Sequence, residues 1–349
     1  MTERNRLRGL TAILTLAMAL PCAGITISRN FVEPGESFPE FGGLAGSAPS
    51  NAAGGGNLAD VFNAAADWWE MAILDDHSLD IYFGWERLDG STLAAATQYV
   101  DPQPPVYGEV SFDNDLSSVF YMDPLPTDST EYETYTEYSD DLGGGDVNTG
   151  RVFTSPTGYA VGRVDLFSTA LHEIGHLLGF NGLWSGNHIN ITAPLPYAGS
   201  SVPTTGSHID ISTALMYPYT SDGTRHLGSQ VDILAGAENV GFVSVNLDPE
   251  FPFILHGDLN GDDSVGQTDL DIILDNWGDS APLGNPLADV SGDGFVGQAD
   301  LDVVLGYWGQ SAPPAGAGAG QTLVPEPTSL AMIFALAAAF QALRRKRPA

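Results

Sequence analysis

The chain has 349 residues with 44 Asp+Glu against 12 Lys+Arg, a net charge of −32, and length enough for two modest domains plus processing segments. Seven of the 12 bases sit at the ends (Arg4, Arg6, Arg8, Arg344, Arg345, Lys346, Arg347). Setting these aside with Glu3 and Glu326 leaves 42 acids against 5 bases, a net charge of −37, which excludes nucleic acid and anionic membrane surfaces as partners of the body.

Arg4, Arg6 and Arg8 precede an apolar run over 10–20, followed by small residues near Ala23. A basic segment, a short apolar core and a small-residue cleavage site predict a signal peptide over 1–23 and therefore export. Pro21 stands where a lipid-attachment motif wants a small residue, which argues against lipidation of Cys22. Cys22 is the only cysteine and leaves with that segment, so no disulfide framework is available.

Residues 25–27 predict a short strand, and the Gly/Ala/Ser/Pro/Asn-rich stretch 42–56 predicts a loop. Over 58–73 the apolar residues Val61, Phe62, Ala65, Trp68, Trp69 and Ala72 recur at helical spacing and predict an amphipathic helix. Strands are expected at 79–85 and 106–112, the second alternating. His77 reads as a solvated loop histidine, and the acidic, Tyr- and Gly-rich stretch 126–150 as a long surface loop.

The run Leu171-His172-Glu173-Ile174-Gly175-His176-Leu177-Leu178-Gly179 contains H-E-x-x-H within an apolar segment. At 3.6 residues per turn His172 and His176 share one helix face and can hold one zinc ion, with Glu173 beside them as a candidate general base. Catalytic zinc needs three protein ligands and an open position for water, so a third residue must come from elsewhere.

Gly179, three residues after His176, suits a helix end and a sharp turn. From here the chain resembles the metzincins, whose pattern is H-E-x-x-H-x-x-G-x-x-H. It departs from them at position 182, where Gly182 stands in place of the third histidine. Further on, Ala214-Leu215-Met216-Tyr217-Pro218 is similar to the Met-turn of that family, whose methionine underlies the zinc ligands, in the form seen in matrixins. In the leishmanolysin-like branch an insertion separates the glycine from the third histidine, which stands shortly before the Met-turn. The resemblance thus implies His208 as third ligand, with His188 next and Asp210 as a weaker oxygen alternative. His226, past the turn, reads as a surface residue or a substrate contact. No tyrosine role carries over, because Pro218 occupies the position where other branches place one. Helix, strands and then the H-E-x-x-H helix resembles a zincin N-terminal subdomain. That implies an edge strand above the helix that pairs with the peptide substrate, for which 106–112 is the candidate. Segments 231–234 and 240–243 suggest a closing helix and a domain end near 250.

From Asp258 the sequence repeats with a period of 31, Asp258 aligning with Asp289 and each unit ending in Trp-Gly, at Trp277-Gly278 and Trp308-Gly309. Asp258, Asn260, Asp262, Ser264 and Asp269 in the first unit, and Asp289, Ser291, Asp293, Phe295 (through its carbonyl) and Asp300 in the second, fit EF-hand-like calcium loops. With one helix after each loop and a terminal Asp, the pair resembles a dockerin type I module. The resemblance implies two structural Ca²⁺ ions and a cohesin-like partner; Asp263 in place of the usual glycine is the departure. Neither unit has much core, so calcium is expected to fold the pair.

Val324-Pro325-Glu326-Pro327, a short apolar run over 330–343 and a basic end resemble a PEP-CTERM sorting tail. That implies recognition by an exosortase-type protease and a secreted or surface-attached product. The run is short for a stable span of about 20 residues, although an ordinary C-terminal membrane anchor stays open.

The expected architecture is α+β: signal peptide 1–23, zincin/metzincin-like catalytic domain 24–250, all-α dockerin-like module 257–312, linker 313–323 and tail 324–349. The expected activity is zinc-dependent endopeptidase action on a protein or peptide substrate, with Zn²⁺ on His172, His176 and His208, Glu173 as base and Met216 beneath. The alternative is an inactive zincin-fold adhesion or assembly protein. Intact Glu173 argues against it, since a pure binding module has no need of a base beside the metal.

Overall fold

The computed structural model describes residues 24–99, 101, 103–181, 186–251, 257–260, 262, 264–280, 285–290 and 295–311. The expected signal peptide, Cys22, Gly182, Ser291, Asp293, the linker and the sorting tail lie outside the described residues. Among those described, no helix is long and apolar enough to cross a membrane.

In chain order the elements are β1 (Thr26–Phe31), α1 (Leu58–Ala72), β2 (Ser78–Glu86), β3 (Ala94–Gln98), β4 (Tyr107–Asp113), β5 (Phe120–Tyr121), β6 (Tyr132–Asp141), β7 (Asp146–Pro156), β8 (Val164–Asp165), α2 (Leu166–Leu177), β9 (His188–Asn190), β10 (Ser201–Thr205), β11 (His208–Ile209), β12 (Arg225–Leu227), α3 (Gln230–Val240), α4 (Gln267–Asp275) and α5 (Gln298–Gly306). The architecture is mixed α+β, as its sequence pattern implies.

The main sheet has the order β1-β2-β4-β3, with β1, β2 and β4 parallel and β3 antiparallel at the edge. The strand expected at the edge, 106–112, is therefore interior: β4 is hydrogen-bonded on both sides, and the edge belongs to Ala94–Gln98. Three consecutive alanines carry little strand propensity, which is why this element has no clear signature in the sequence.

Helix α1 begins where Asn57 Oδ1 accepts the Asp60 N–H at 2.9 Å and covers one face of the sheet, Phe62 stacking on Phe83 of β2 with ring centroids 3.8 Å apart. Its apolar face also meets α2, where Trp69 Nε1 donates to the Leu171 carbonyl at 2.9 Å. Trp68, Trp69, Leu171 and Ile174 are fully enclosed in this shared core. Trp69, buried beside Trp68, thus ties α1 to α2.

The stretch 126–150 is not a loop. It forms most of a long hairpin in which β6 pairs antiparallel with β7, turning near Gly143 and Gly145, both at positive φ (103° and 122°). Tyr and Thr fill a pleated surface well despite the acidic residues between them, and the strand lies at the surface as its composition implies. His77 is likewise not free in solvent: Nε2 sits 2.6 Å from the Pro105 carbonyl oxygen, and the ring packs edge-on to Phe242. A single closing helix, α3, ends at Gly241 in the left-handed region, its N–H returning to the Ala237 carbonyl.

The C-terminal repeats form a second cluster around Leu259, Val265, Ile273, Ala288, Val290, Val296 and Val304, against which Leu125 also packs. Each loop pairs with the segment after the other unit's helix. Val265 exchanges backbone hydrogen bonds with Gly309 and Gln310, and Val296 with Gly278 and Asp279.

Candidate metal centre

Helix α2 carries H-E-x-x-H. Its first turn is capped by Asp165, whose carboxylate accepts the Ser168 N–H at 2.9 Å, and Asp165 is itself held by buried Arg225 through Nε (3.1 Å) and Nη2 (2.9 Å). At the other end Gly179, at φ +148°, turns the chain so closely over Gly236 that a Cβ would lie 2.4 Å from the Gly236 carbonyl oxygen. That turn brings the Phe180 carbonyl back to His176 Nδ1, 2.6 Å away.

His172 Nδ1 is 2.8 Å from the Leu215 carbonyl. With both Nδ1 atoms engaged by carbonyls, the Nε2 atoms of His172 and His176 face the same space, the orienting arrangement metal-ligating histidines use. His208, on β11, completes the triangle, with ring centroids 5.2 Å from His172 and 4.8 Å from His176. One nitrogen from each of the three lies within 4.8 Å of the others. Among the described residues this is the one group of three His, Cys, Asp or Glu side chains whose ligand atoms converge, and it could hold a metal ion. His188 and Asp210, the alternatives, are exposed and do not join it. Burial lowers all three histidines: His176 to about 4, and His172 well below its ordinary value with the neighbouring His176 adding to the effect. Neutral imidazoles with a free lone pair are the form a metal requires.

The turn Ala214–Pro218 organises these histidines. Met216 is fully buried under α2, where a Cβ at Gly175 would lie 2.5 Å from its Sδ. The Met216 carbonyl accepts the Ile209 N–H at 2.9 Å, tying the His208 strand to the turn, while the Leu215 carbonyl holds His172. Asp232 of α3 fastens the turn from below: its buried carboxylate accepts the Met216 N–H at 2.9 Å, the Ser229 N–H at 2.9 Å and the Ser229 hydroxyl at 2.6 Å. Sequence reasoning missed Asp232, although Ser229-x-x-Asp232 has the spacing of a helix-capping box. It also missed Arg225, for which no local signal exists.

Glu173 is buried beside the triad, and burial pushes its carboxyl up to about 8, partly offset by a backbone hydrogen bond from Ala96 of β3. A cavity of about 880 Å³ opens over these residues, lined by β3, Tyr217, Tyr219 and His226. His226 is thus at the cavity wall, its Nδ1 3.3 Å from the Thr213 carbonyl, rather than on the free surface.

In the repeat, Asp262 N–H donates to both Asp258 Oδ1 (3.1 Å) and Asn260 Oδ1 (2.8 Å), and Ser264 N–H to Asp262 Oδ1 (3.0 Å). Asp269 and Asp300 cap α4 and α5, accepting the N–H of Gly266 (2.8 Å) and Gly297 (2.7 Å). Asp289 is buried, and the Phe295 side chain is partly exposed.

No protein-family model matches this chain, and no curated protein is significantly similar to it.

Proposed function

We propose that this chain is an exported zinc endopeptidase of metzincin-like design, with a calcium-folded, dockerin-like module and a C-terminal sorting tail. The observation that carries the reading is the convergence of His172, His176 and His208 beside buried Glu173, on the floor of a cleft bordered by an edge strand. Three imidazoles, two of them with rings oriented by carbonyls, suit zinc, which takes three nitrogen ligands at catalytic sites and keeps one position open. Bound there, zinc supplies Lewis acidity and lowers the pKa of a water from 15.7 to about 7.

The protein's own groups supply the rest. The β3 backbone, with no strand on its outer side among the described residues, offers hydrogen bonds that align an extended peptide along the cleft. Glu173 accepts the proton of the attacking water and hands it to the leaving amine. Its buried, elevated carboxyl suits a group that must both take and give a proton near neutrality. Asp258 and Asn260 oxygens gathered on one backbone N–H support calcium in the first repeat loop, and the aligned Asp289 and Asp300 extend the proposal to the second. Export, tail processing by an exosortase-type enzyme and a cohesin-like partner follow from the sequence resemblances alone.

The test separates metal binding from chemistry. Glu173→Ala is expected to retain zinc and lose casein cleavage by at least ~100-fold, the range of a positioned acid–base group. His208→Ala is expected to lose zinc as read by metal analysis. Full zinc occupancy in His208→Ala, or undiminished cleavage by Glu173→Ala, overturns the assignment.

A further inference from the structure

The edge strand ends in an aromatic patch that the proton-transfer machinery does not use. In the β3–β4 register Gln98 pairs with Gly108, and a Cβ on Gly108 would meet Leu177 of α2 at 2.6 Å, so that face of the sheet looks towards the active-site helix. Gln98 accordingly reaches the His176 carbonyl, 3.0 Å from its Nε2. The next residue, Tyr99, falls on the opposite face, with Tyr107 and Glu109. There Phe41 and Tyr99 meet edge-on at 4.8 Å between centroids, and Tyr107 lies 6.1 Å from Tyr99 and 6.2 Å from Phe41. Phe41 and Tyr99 remain 39% and 47% exposed, high for aromatic rings already in mutual contact.

The patch is held rigid and made anionic. Buried Glu109 accepts the Glu40 N–H (2.7 Å), the Phe41 N–H (2.9 Å) and the Tyr107 hydroxyl (2.6 Å), pinning the loop that carries Phe41. Exposed Glu40 accepts the Tyr99 hydroxyl at 2.9 Å, placing a solvated carboxylate at the edge of the rings. No lysine or arginine lines the cleft among the described residues. Of the body's five arginines, Arg29, Arg151 and Arg225 are already engaged with carboxylates. The field over the cleft is that of a chain carrying 44 acids against 12 bases.

We propose that the outer face of the cleft's edge strand selects peptides with an arginine or lysine side chain, which seats on the Phe41–Tyr99–Tyr107 rings beside Glu40. The inference rests on the peptidase reading and deepens it by naming the substrate class. A peptide added as a strand outside β3 alternates its side chains between the two faces, so every second one lies on the Tyr99 side. A guanidinium or ammonium there gains a cation–π contact and a nearby carboxylate, while the acidic body draws basic segments in and repels acidic ones.

The experiment uses matched peptides bearing arginine, citrulline or glutamate, scanned along the segment beside β3. Two readouts are taken: kcat/KM with the zinc-loaded full chain, and Kd by fluorescence anisotropy with Glu173→Ala, which reads preference without turnover. Arginine is expected to exceed citrulline by about 3- to 30-fold at one position, with glutamate below citrulline. Raising salt is expected to shrink the preference. Tyr99→Phe keeps the ring and the preference, whereas Tyr99→Leu brings the ratio close to one. Equal arginine and citrulline values in the unaltered chain overturn the inference and leave the peptidase reading standing. A preference that survives Tyr99→Leu overturns this placement of the site. Absence of any Glu173-dependent cleavage defeats the peptidase reading itself, and the anisotropy ratio still decides whether the patch binds basic peptides.

Discussion

Around Met216 single residues have little room to change. The helix that carries the two histidines passes so close to the turn that position 175 must be glycine: an added Cβ would sit 2.5 Å from Met216 Sδ and 3.2 Å from Trp69 Cζ2. Gly175→Ala, a mild change on an isolated helix, is therefore expected to destabilise by about 1–3 kcal/mol through overpacking, measured by urea unfolding. Glu131 gives a pH-dependent counterpart away from the metal site. Burial, with Asp123 next to it, raises its carboxyl to about 8 in spite of Arg225, and its Oε2 has no hydrogen-bond partner among the described residues. The folded chain thus holds this proton more tightly than the unfolded chain, whose glutamate titrates near 4.3. The associated stability is complete below about pH 4.3 and is lost as pH rises towards 8. Glu131→Gln is expected to be more stable than the unaltered chain by about 1–3 kcal/mol at pH 8, with the difference closing near pH 4 in parallel denaturant curves.

At the scale of elements, the helix that carries His172 and His176 is positioned from both ends by groups distant in sequence. Arg225 on β12 is fully buried between Asp123 and Asp165, 2.5 and 2.9 Å from Nη2, and Asp165 is the N-cap of α2. Arg225→Met leaves two buried carboxylates without a counter-charge, and a loss of about 3–5 kcal/mol is expected in the urea midpoint. Arg225→Lys should recover little, since one ammonium cannot reproduce the fork between two carboxylates. The strands show where sequence reasoning stops. Alternation over 106–112 correctly announces a strand, but alternation describes two faces and says nothing about neighbours along the hydrogen-bonding direction. Hence β4 proved interior, and Ala94–Gln98, with its poor propensity, took the edge above Glu173. In the β6–β7 hairpin, acidic composition masked a Tyr/Thr pattern that the sheet accommodates on its exposed side.

For the whole molecule, the two hydrophobic clusters differ in self-sufficiency. The larger contains Trp68, Trp69, Phe62, Phe83, Phe112 and Phe167, while the repeat cluster is built from a handful of aliphatic residues around Ile273 and Val304. A core that small gains most from a bound ion, and calcium is the ion proposed for it. Chelation with EGTA is expected to remove a distinct calorimetric transition of the repeat pair and to shift the fluorescence of half-exposed Trp277 and Trp308. The transition of the larger cluster should persist. Calcium at about 1,000 times its Kd should restore roughly 4 kcal/mol to the repeats. A repeat pair equally stable in EGTA would count against calcium as its folding ion.

The sequence alone determined what depends on local spacing. Two histidines four residues apart lie on one helix face, Glu173 lies beside them, a glycine ends the helix, and a 31-residue period marks the repeats; each follows from backbone geometry within a few turns. Resemblance of the Met-turn pointed to His208 but left His188 and Asp210 open. Only the tertiary structure shows that His208, and neither His188 nor Asp210, meets His172 and His176, because bringing residue 208 to residues 172 and 176 depends on β11 bonding to the Ala214–Pro218 turn and on Asp232 anchoring that turn from α3. The same long-range closure set the order of the strands and buried Arg225 against the N-cap of α2, outcomes of packing that no spacing along the chain encodes.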